Sequence, residues 1–134
     1  MSELERNKAL VRAHYDATVN HFDPAAIDRQ VAIDFFDHAA GATLGPEGVC
    51  KHIQSLLAAI PDLRATIDDI IAEGDRVAVR ATWCGTHAGP FRGLAPSHKR
   101  FTATGMVFWR IRDGLLVERW AAVDLLGALE QAAR

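Results

Sequence analysis

The carboxylate best placed to do chemistry is Asp124, which ends the run Leu115-Leu116-Val117-Glu118-Arg119-Trp120-Ala121-Ala122-Val123-Asp124. In an extended strand, side chains two apart share a face, so Glu118, Trp120, Ala122 and Asp124 align. A carboxylate beside a tryptophan on an otherwise core-like strand is costly unless it has a partner or a task. An apolar pocket would raise its pKa toward neutrality, and one carboxyl group could then both take and return a proton. A second reading stands beside the first: Asp124 caps the short helical tail Leu125–Ala132.

Other residues could join it. His87 ends a long strand on the face of Val77, Val79, Ala81 and Trp83. There it either orients Asp124 or a substrate carbonyl, or fixes the loop that follows. His38 follows the aromatic pair Phe35-Phe36 and either faces the same pocket mouth or bonds to backbone. Tyr15 reads as a pocket wall or as a core tyrosine with a wet hydroxyl. Glu118 lies six residues from Asp124, roughly 20 Å along a strand, too far for a carboxylate pair. By alternation Arg119 points away from Asp124 and reads as structural. Arg80, opposite in phase to Val79 and Ala81, reads as a partner of Glu118 or Asp75, or as an interface residue. His14, His21, His52 and His98 read as surface residues. No His-x-His or His-Glu-x-x-His spacing points to a metal, and no phosphate cradle or nucleophile elbow is present. Neither a metal nor a nucleotide cofactor is expected.

The elements that must position these groups come in two halves. Ser2 and Glu5 form a capping box for a helix over 3–20, Asp23-Pro24 starts a short helix, and Gly45-Pro46-Glu47 opens a helix to about Ala59. That third helix buries Val49, Ile53, Leu56, Leu57 and Ile60, and Pro61 stops it. Val31–His38 reads as helix or strand. After Pro61 the pattern turns to strands at Ala65–Ile71, Arg76–His87, Phe101–Arg112 and Leu115–Asp124. Asp113-Gly114 makes the last hairpin, since both residues tolerate positive φ. Helices followed by an antiparallel meander give an α+β chain, with helices covering one face of a curved sheet.

With 134 residues, half of them hydrophobic, the chain reads as one domain spanning 1–134. A net charge of −2 with no basic stripe argues against nucleic acid. No 18-residue apolar stretch and no apolar leader occur, so no membrane span and a cytoplasmic location are expected. Cys50 and Cys84 have neither metal nor redox spacing and read as buried free thiols.

The second half carries a resemblance. Ile60-Pro61-Asp62-Leu63, Glu73-Gly74-Asp75-Arg76-Val77-x-Val79-Arg80, Gly85-Thr86-His87-x-Gly89 and Asp113-Gly114-x-x-x-Glu118-x-Trp120-x-x-x-Asp124 follow one another as in SnoaL-like polyketide cyclases. These belong to the nuclear-transport-factor-2-like superfamily, and Phe35-x-Asp37-His38 and the helix after Gly45 also fit. The resemblance implies a cone-shaped α+β barrel and a cofactor-free enzyme that closes a ring by intramolecular aldol condensation. It puts the acid/base aspartate at Asp124. Pro96-Ser97-His98 departs from the Pro-Thr-Gly common in the family, which bears on substrate identity. The resulting expectation has Asp124 and His87 catalytic, and His38, Trp120, Tyr15, Phe35 and Ile53 shaping a pocket for a small hydrophobic carbonyl-containing substrate. Related cones also host epoxide hydrolases, isomerases, hydroxylases and non-catalytic binders. An Asp-Arg-Asp hydrolase would need Arg80 and a second carboxylate such as Asp37 turned inward. A homodimer is expected to cover the outer sheet face, with Val117, Ala121 and Val123 contributing.

Overall fold

The computed structural model describes residues 1–134. Ser2 caps the first helix, α1 (Glu3–Tyr15), its hydroxyl accepting the Glu5 N–H at 3.1 Å. The helix then widens into a π-helical stretch, Asp16–Asn20, where the sequence pattern alone reads one continuous helix. The Thr18 hydroxyl bonds back to the carbonyls of His14 and Tyr15. The Asn20 side chain exchanges two hydrogen bonds with the backbone of Ala65, pinning this stretch to the sheet. Asp23 caps α2 (Pro24–Gln30), which places its proline in the first turn.

The ambiguous segment after it is a strand, β1 (Val31–Asp37), with a two-residue β2 (Ala42–Thr43) beside it. Helix α3 (Gly45–Ala59) follows. Gly45 has φ +60°, and a Cβ there would lie 3.0 Å from the Ile33 carbonyl oxygen, so a side chain would be strained twice over. Strands β3 (Arg64–Glu73), β4 (Arg76–Thr86), β5 (Arg100–Arg112) and β6 (Leu115–Val123) form the meander, and α4 (Leu125–Ala132) ends the chain. The β5–β6 turn has positive φ at both Asp113 and Gly114, as the Asp-Gly pair predicts.

The sheet order is β2-β1-β6-β5-β4-β3; β1 runs parallel to β6 and every other pair is antiparallel. This is the cone-shaped α+β arrangement, with helices across the inner face of a curved, mainly antiparallel sheet. No helix is long and apolar enough to cross a membrane.

Register decides what looks inward. Val77, Val79, Ala81 and Trp83 of β4 pair with Trp109, Val107, Gly105 and Ala103 of β5. Of these, Trp109, Val107 and Gly105 pair in turn with Arg119, Ala121 and Val123 of β6. The inner row of β6 is therefore the odd-numbered one. Ala121 and Val123 look inward instead of covering the outer face, while Glu118 and Trp120 look outward. A bulge between Arg110 and Ile111 leaves Val117 as an extra residue, and both Leu116 and Val117 are buried. Outside, Ile71, Met106 and Phe108 remain exposed.

Candidate active site

Between the helices and the inner sheet face lies a chamber of about 90 Å³. It adjoins a vestibule of about 270 Å³, and the two share Asp37, His52, Leu56, Trp83 and Arg119 in their walls. The chamber draws its surface from the end of α1 and the π-helical stretch, from β1, from α3 and from the inner rows of β4 to β6. Its aromatic wall is built round Trp109. Phe35 stacks on that indole at 6.3 Å, and His14 and Tyr15 meet it edge-on at 5.2 and 6.0 Å.

Asp37 is the only carboxylate in either wall. It is 4% exposed, at the end of β1. Arg119 Nη1 donates to Oδ2 at 3.0 Å and to Oδ1 at 3.3 Å, and the Ala39 N–H donates to Oδ1 at 2.9 Å. The parallel β1–β6 pairing places the two residues opposite each other. The Arg119 guanidinium also lies over the Trp109 ring at 5.6 Å. A buried carboxylate held by one cation and one amide is fixed in orientation, and it retains lone pairs for a substrate proton.

Two histidines flank the pair. His14 is buried, with Nδ1 2.9 Å from the Gln30 side-chain oxygen. Burial lowers its pKa to about 4, opposed by the Gln30 bond and reinforced by nearby Arg119. His52 stands at the junction of chamber and vestibule. Its pKa is lowered, first by desolvation against the wall and then by Arg119, with Asp37 opposing. Burial raises the pKa of Tyr15, partly offset by the nearby Trp109 N–H and by Arg119.

The family model for SnoaL-like polyketide cyclases matches residues 9–132. The chain belongs to the SnoaL-like polyketide cyclase family. Solved structures agree with that membership. TsrD from Streptomyces laurentii is 26% identical, with a TM-score of 0.86 over 99% of this chain and 98% of its own. IdmH from Streptomyces antibioticus, a proposed polyketide cyclase, is 30% identical, with a TM-score of 0.78 over 93% and 96% of the two chains. AclR from Streptomyces galilaeus, a proposed hydroxylase, is 28% identical, with a TM-score of 0.79 over 96% and 83%. No curated protein matches the chain at a significant level.

In this member of the SnoaL-like family, Tyr15, Phe35 and Ile53 come together in the chamber wall. The other expected site residues lie elsewhere. Asp124 is exposed and caps α4, its Oδ1 accepting the Gly127 N–H at 2.9 Å. It lines neither chamber nor vestibule, because it stands past the end of β6 with its carboxylate turned to the first turn of α4. Trp120 and His38 share that outer side, stacked at 4.7 Å, and His38 bonds Glu118 at 2.7 Å. Glu118 also takes Arg110 Nε at 2.6 Å, and its pKa is lowered by the bonds from His38 and Arg110. His87 continues the inner row of β4 but lies beyond the cavity, 1% exposed, with both ring nitrogens unpartnered. Arg80 is outside and nearest Asp68, not Glu118 or Asp75.

Three chamber residues were read differently from sequence. By sequence Arg119 reads as structural because alternation sets it opposite in phase to Asp124. His14 and His52 read as surface residues, yet His14 belongs to the stripe Asn7, Val11, His14, Thr18 that α1 and its π-helical extension bury. The 3–4 spacing of that stripe was the signal; the scattered Leu and Ala positions of α1 obscured it.

Proposed function

We propose that the chain is a cofactor-independent cyclase that closes a ring in a small carbonyl-rich compound by intramolecular aldol condensation, with Asp37 as the acid/base group. The observation that carries this reading is the isolation of the Asp37 carboxylate in an aromatic-walled chamber, oriented by Arg119 and the Ala39 amide. In the reaction Asp37 removes a proton next to one carbonyl. The enolate carbon bonds to a second carbonyl carbon, and the oxygen of that carbonyl takes the proton back. Nothing is gained or lost overall, so the protein has only to fold the substrate and move one proton. Arg119 steadies the carboxylate, and His52 at the junction offers a further proton-handling group.

An Asp-Arg-Asp hydrolase is disfavoured, since Asp37 has no second carboxylate beside it in the cavity. The family aspartate position, Asp124, makes the competing assignment. The two carboxylates are separated with 5-nitrobenzisoxazole, whose ring opens to a coloured phenolate once a base takes its C–H proton. Asp37→Asn is expected to lower kcat/KM by about 10²-fold or more, the scale of positioned base catalysis. Asp124→Asn keeps a good helix cap and is expected to leave the rate unchanged. Melting curves of both variants check that the fold survives. The reverse pattern of rates would return the role to Asp124.

We further propose that a second copy of the chain covers the outer sheet face. Exposed Ile71, Met106 and Phe108 support this, as does the preference of homo-oligomers for closed two-fold symmetry.

A further inference from the structure

We propose that the Trp109 side of the chamber is a hydroxyl-recognition subsite, in which His14, Tyr15 and Trp109 together take a phenol or enol O–H of the substrate. This rests on the cyclase reading only in treating the chamber as the place where substrate binds.

The argument starts from a mismatch in hydrogen bonding. The amide oxygen of Gln30 can only accept, so His14 Nδ1 carries the hydrogen of their 2.9 Å bond. His14 Nε2 is then a bare lone pair, and it makes no bond to the protein. The Tyr15 hydroxyl and the Trp109 indole N–H are both buried without a partner. The two rings meet edge-on at 6.0 Å, and neither polar atom finds a hydrogen-bond partner. One acceptor and two donors thus belong to three side chains of one chamber wall, with the His14 and Tyr15 rings set edge-on to the Trp109 indole. Unmade bonds cost about 1–3 kcal/mol each in a buried setting, so the orphaned pair, Tyr15 and Trp109, beside the free His14 Nε2 calls for an occupant.

A hydroxyl fits that set in full. Its hydrogen goes to His14 Nε2, and its two lone pairs receive Tyr15 O–H and Trp109 N–H. An ether has no hydrogen for His14, and a carboxylate would set negative charge against the imidazole lone pair. With its pKa lowered to about 4, His14 remains an acceptor throughout the neutral range. The local fold serves the same end. The π-helical stretch brings Thr18 and Val19 into the chamber wall directly after His14 and Tyr15, and such stretches recur at functional sites. Asp37 lines the same chamber, so a ring held by its hydroxyl on the Trp109 side shares one cavity with the carboxylate.

The test measures binding of phenol, anisole and toluene to the full chain by calorimetry, alongside ¹⁵N NMR of the Trp109 indole and His14 imidazole. Phenol is expected to bind about tenfold tighter than toluene, or more, since a site built for a hydroxyl rejects analogues lacking it. Phenol shifts both the Trp109 N–H and His14 Nε2; anisole shifts only the former, and toluene neither. Tyr15→Phe reduces the phenol advantage and His14→Phe abolishes it, whereas Asp37→Asn leaves it intact. The NMR of the unmodified chain decides the matter if the His14 variant does not fold. Phenol binding no tighter than toluene, or an advantage lost in Asp37→Asn and kept in His14→Phe, overturns the proposal. Full proton-abstraction activity in Asp37→Asn would instead remove the base assignment and leave the hydroxyl subsite standing.

Discussion

A histidine kept neutral inside a protein makes its stability depend on pH in a definite direction. The His14 pKa falls from 6.5 to about 4 on folding. Between those values the unfolded chain binds a proton that the folded chain refuses. The contribution of His14 is therefore fully present above about pH 6.5 and is lost as pH falls through about 4. The shift corresponds to something on the order of 3 kcal/mol. Denaturant midpoints measured from pH 7 to pH 4 should decline more steeply in the unmodified chain than in His14→Phe. Equal slopes would mean that the imidazole gains a proton in the native state without penalty. The same residue marks the reach of sequence reasoning. Its burial follows from spacing along α1, but its partner, Gln30, comes from another helix, and its ring neighbour, Trp109, from a strand 95 positions away. Only the tertiary fold joins them. Tyr15, Phe35 and Ile53 were legible because apolar wall positions announce themselves by type. Arg119 was not, because a charged residue at an inward position is indistinguishable in sequence from one on a solvated face.

At the level of elements, the sheet's alternation was readable strand by strand, and the hairpin joining β5 to β6 was fixed by Asp113-Gly114. What the pattern lacked was the identity of the inner face. Glu118 and Trp120 do share a phase, as the period of two requires, while the strand ends at Val123, before Asp124. Pairing with β5 sets Arg119 opposite Trp109 and Glu118 opposite Arg110, and so turns that phase outward. Asp124 then does local work at the start of α4. Asp124→Ala should destabilise the chain by about 1 kcal/mol through the lost cap. Asp124→Asn should not, and thermal melting of the two variants distinguishes capping from a purely electrostatic effect. The β5–β6 contact is tighter still at Gly105, where a Cβ would lie 2.6 Å from the Ala122 carbonyl oxygen and 2.4 Å from a Val123 methyl group. Backbone cannot yield there as a flexible side chain could. Gly105→Ala should therefore cost about 1–3 kcal/mol, the usual penalty of overpacking. An unchanged melting temperature in that variant would mean that β6 can shift away from β5 without loss.

Across the whole molecule, the two faces of the sheet divide the labour. The inner face is closed by helices except where chamber and vestibule open, and it holds the one buried carboxylate of the cavity. The outer face carries apolar side chains among ion pairs that belong to the protein's own strands, such as His38–Glu118–Arg110 and Arg80–Asp68. These pairs already satisfy one another, so they leave Met106 and Phe108, side by side along β5, as surface without an internal role. A second copy meeting this patch about a two-fold axis would bury both residues against their own counterparts. Placing a charge there would set like charges together at the centre of the contact. Phe108→Glu is thus expected to shift the chain from dimer to monomer in light scattering, while the cavity, on the opposite side of the sheet, keeps its proton-abstraction activity. Removing apolar surface from an exposed site should leave the melting curve of the monomer little changed. A chain that runs as a monomer before any substitution would show that this face is simply solvated, and would leave the chamber chemistry untouched.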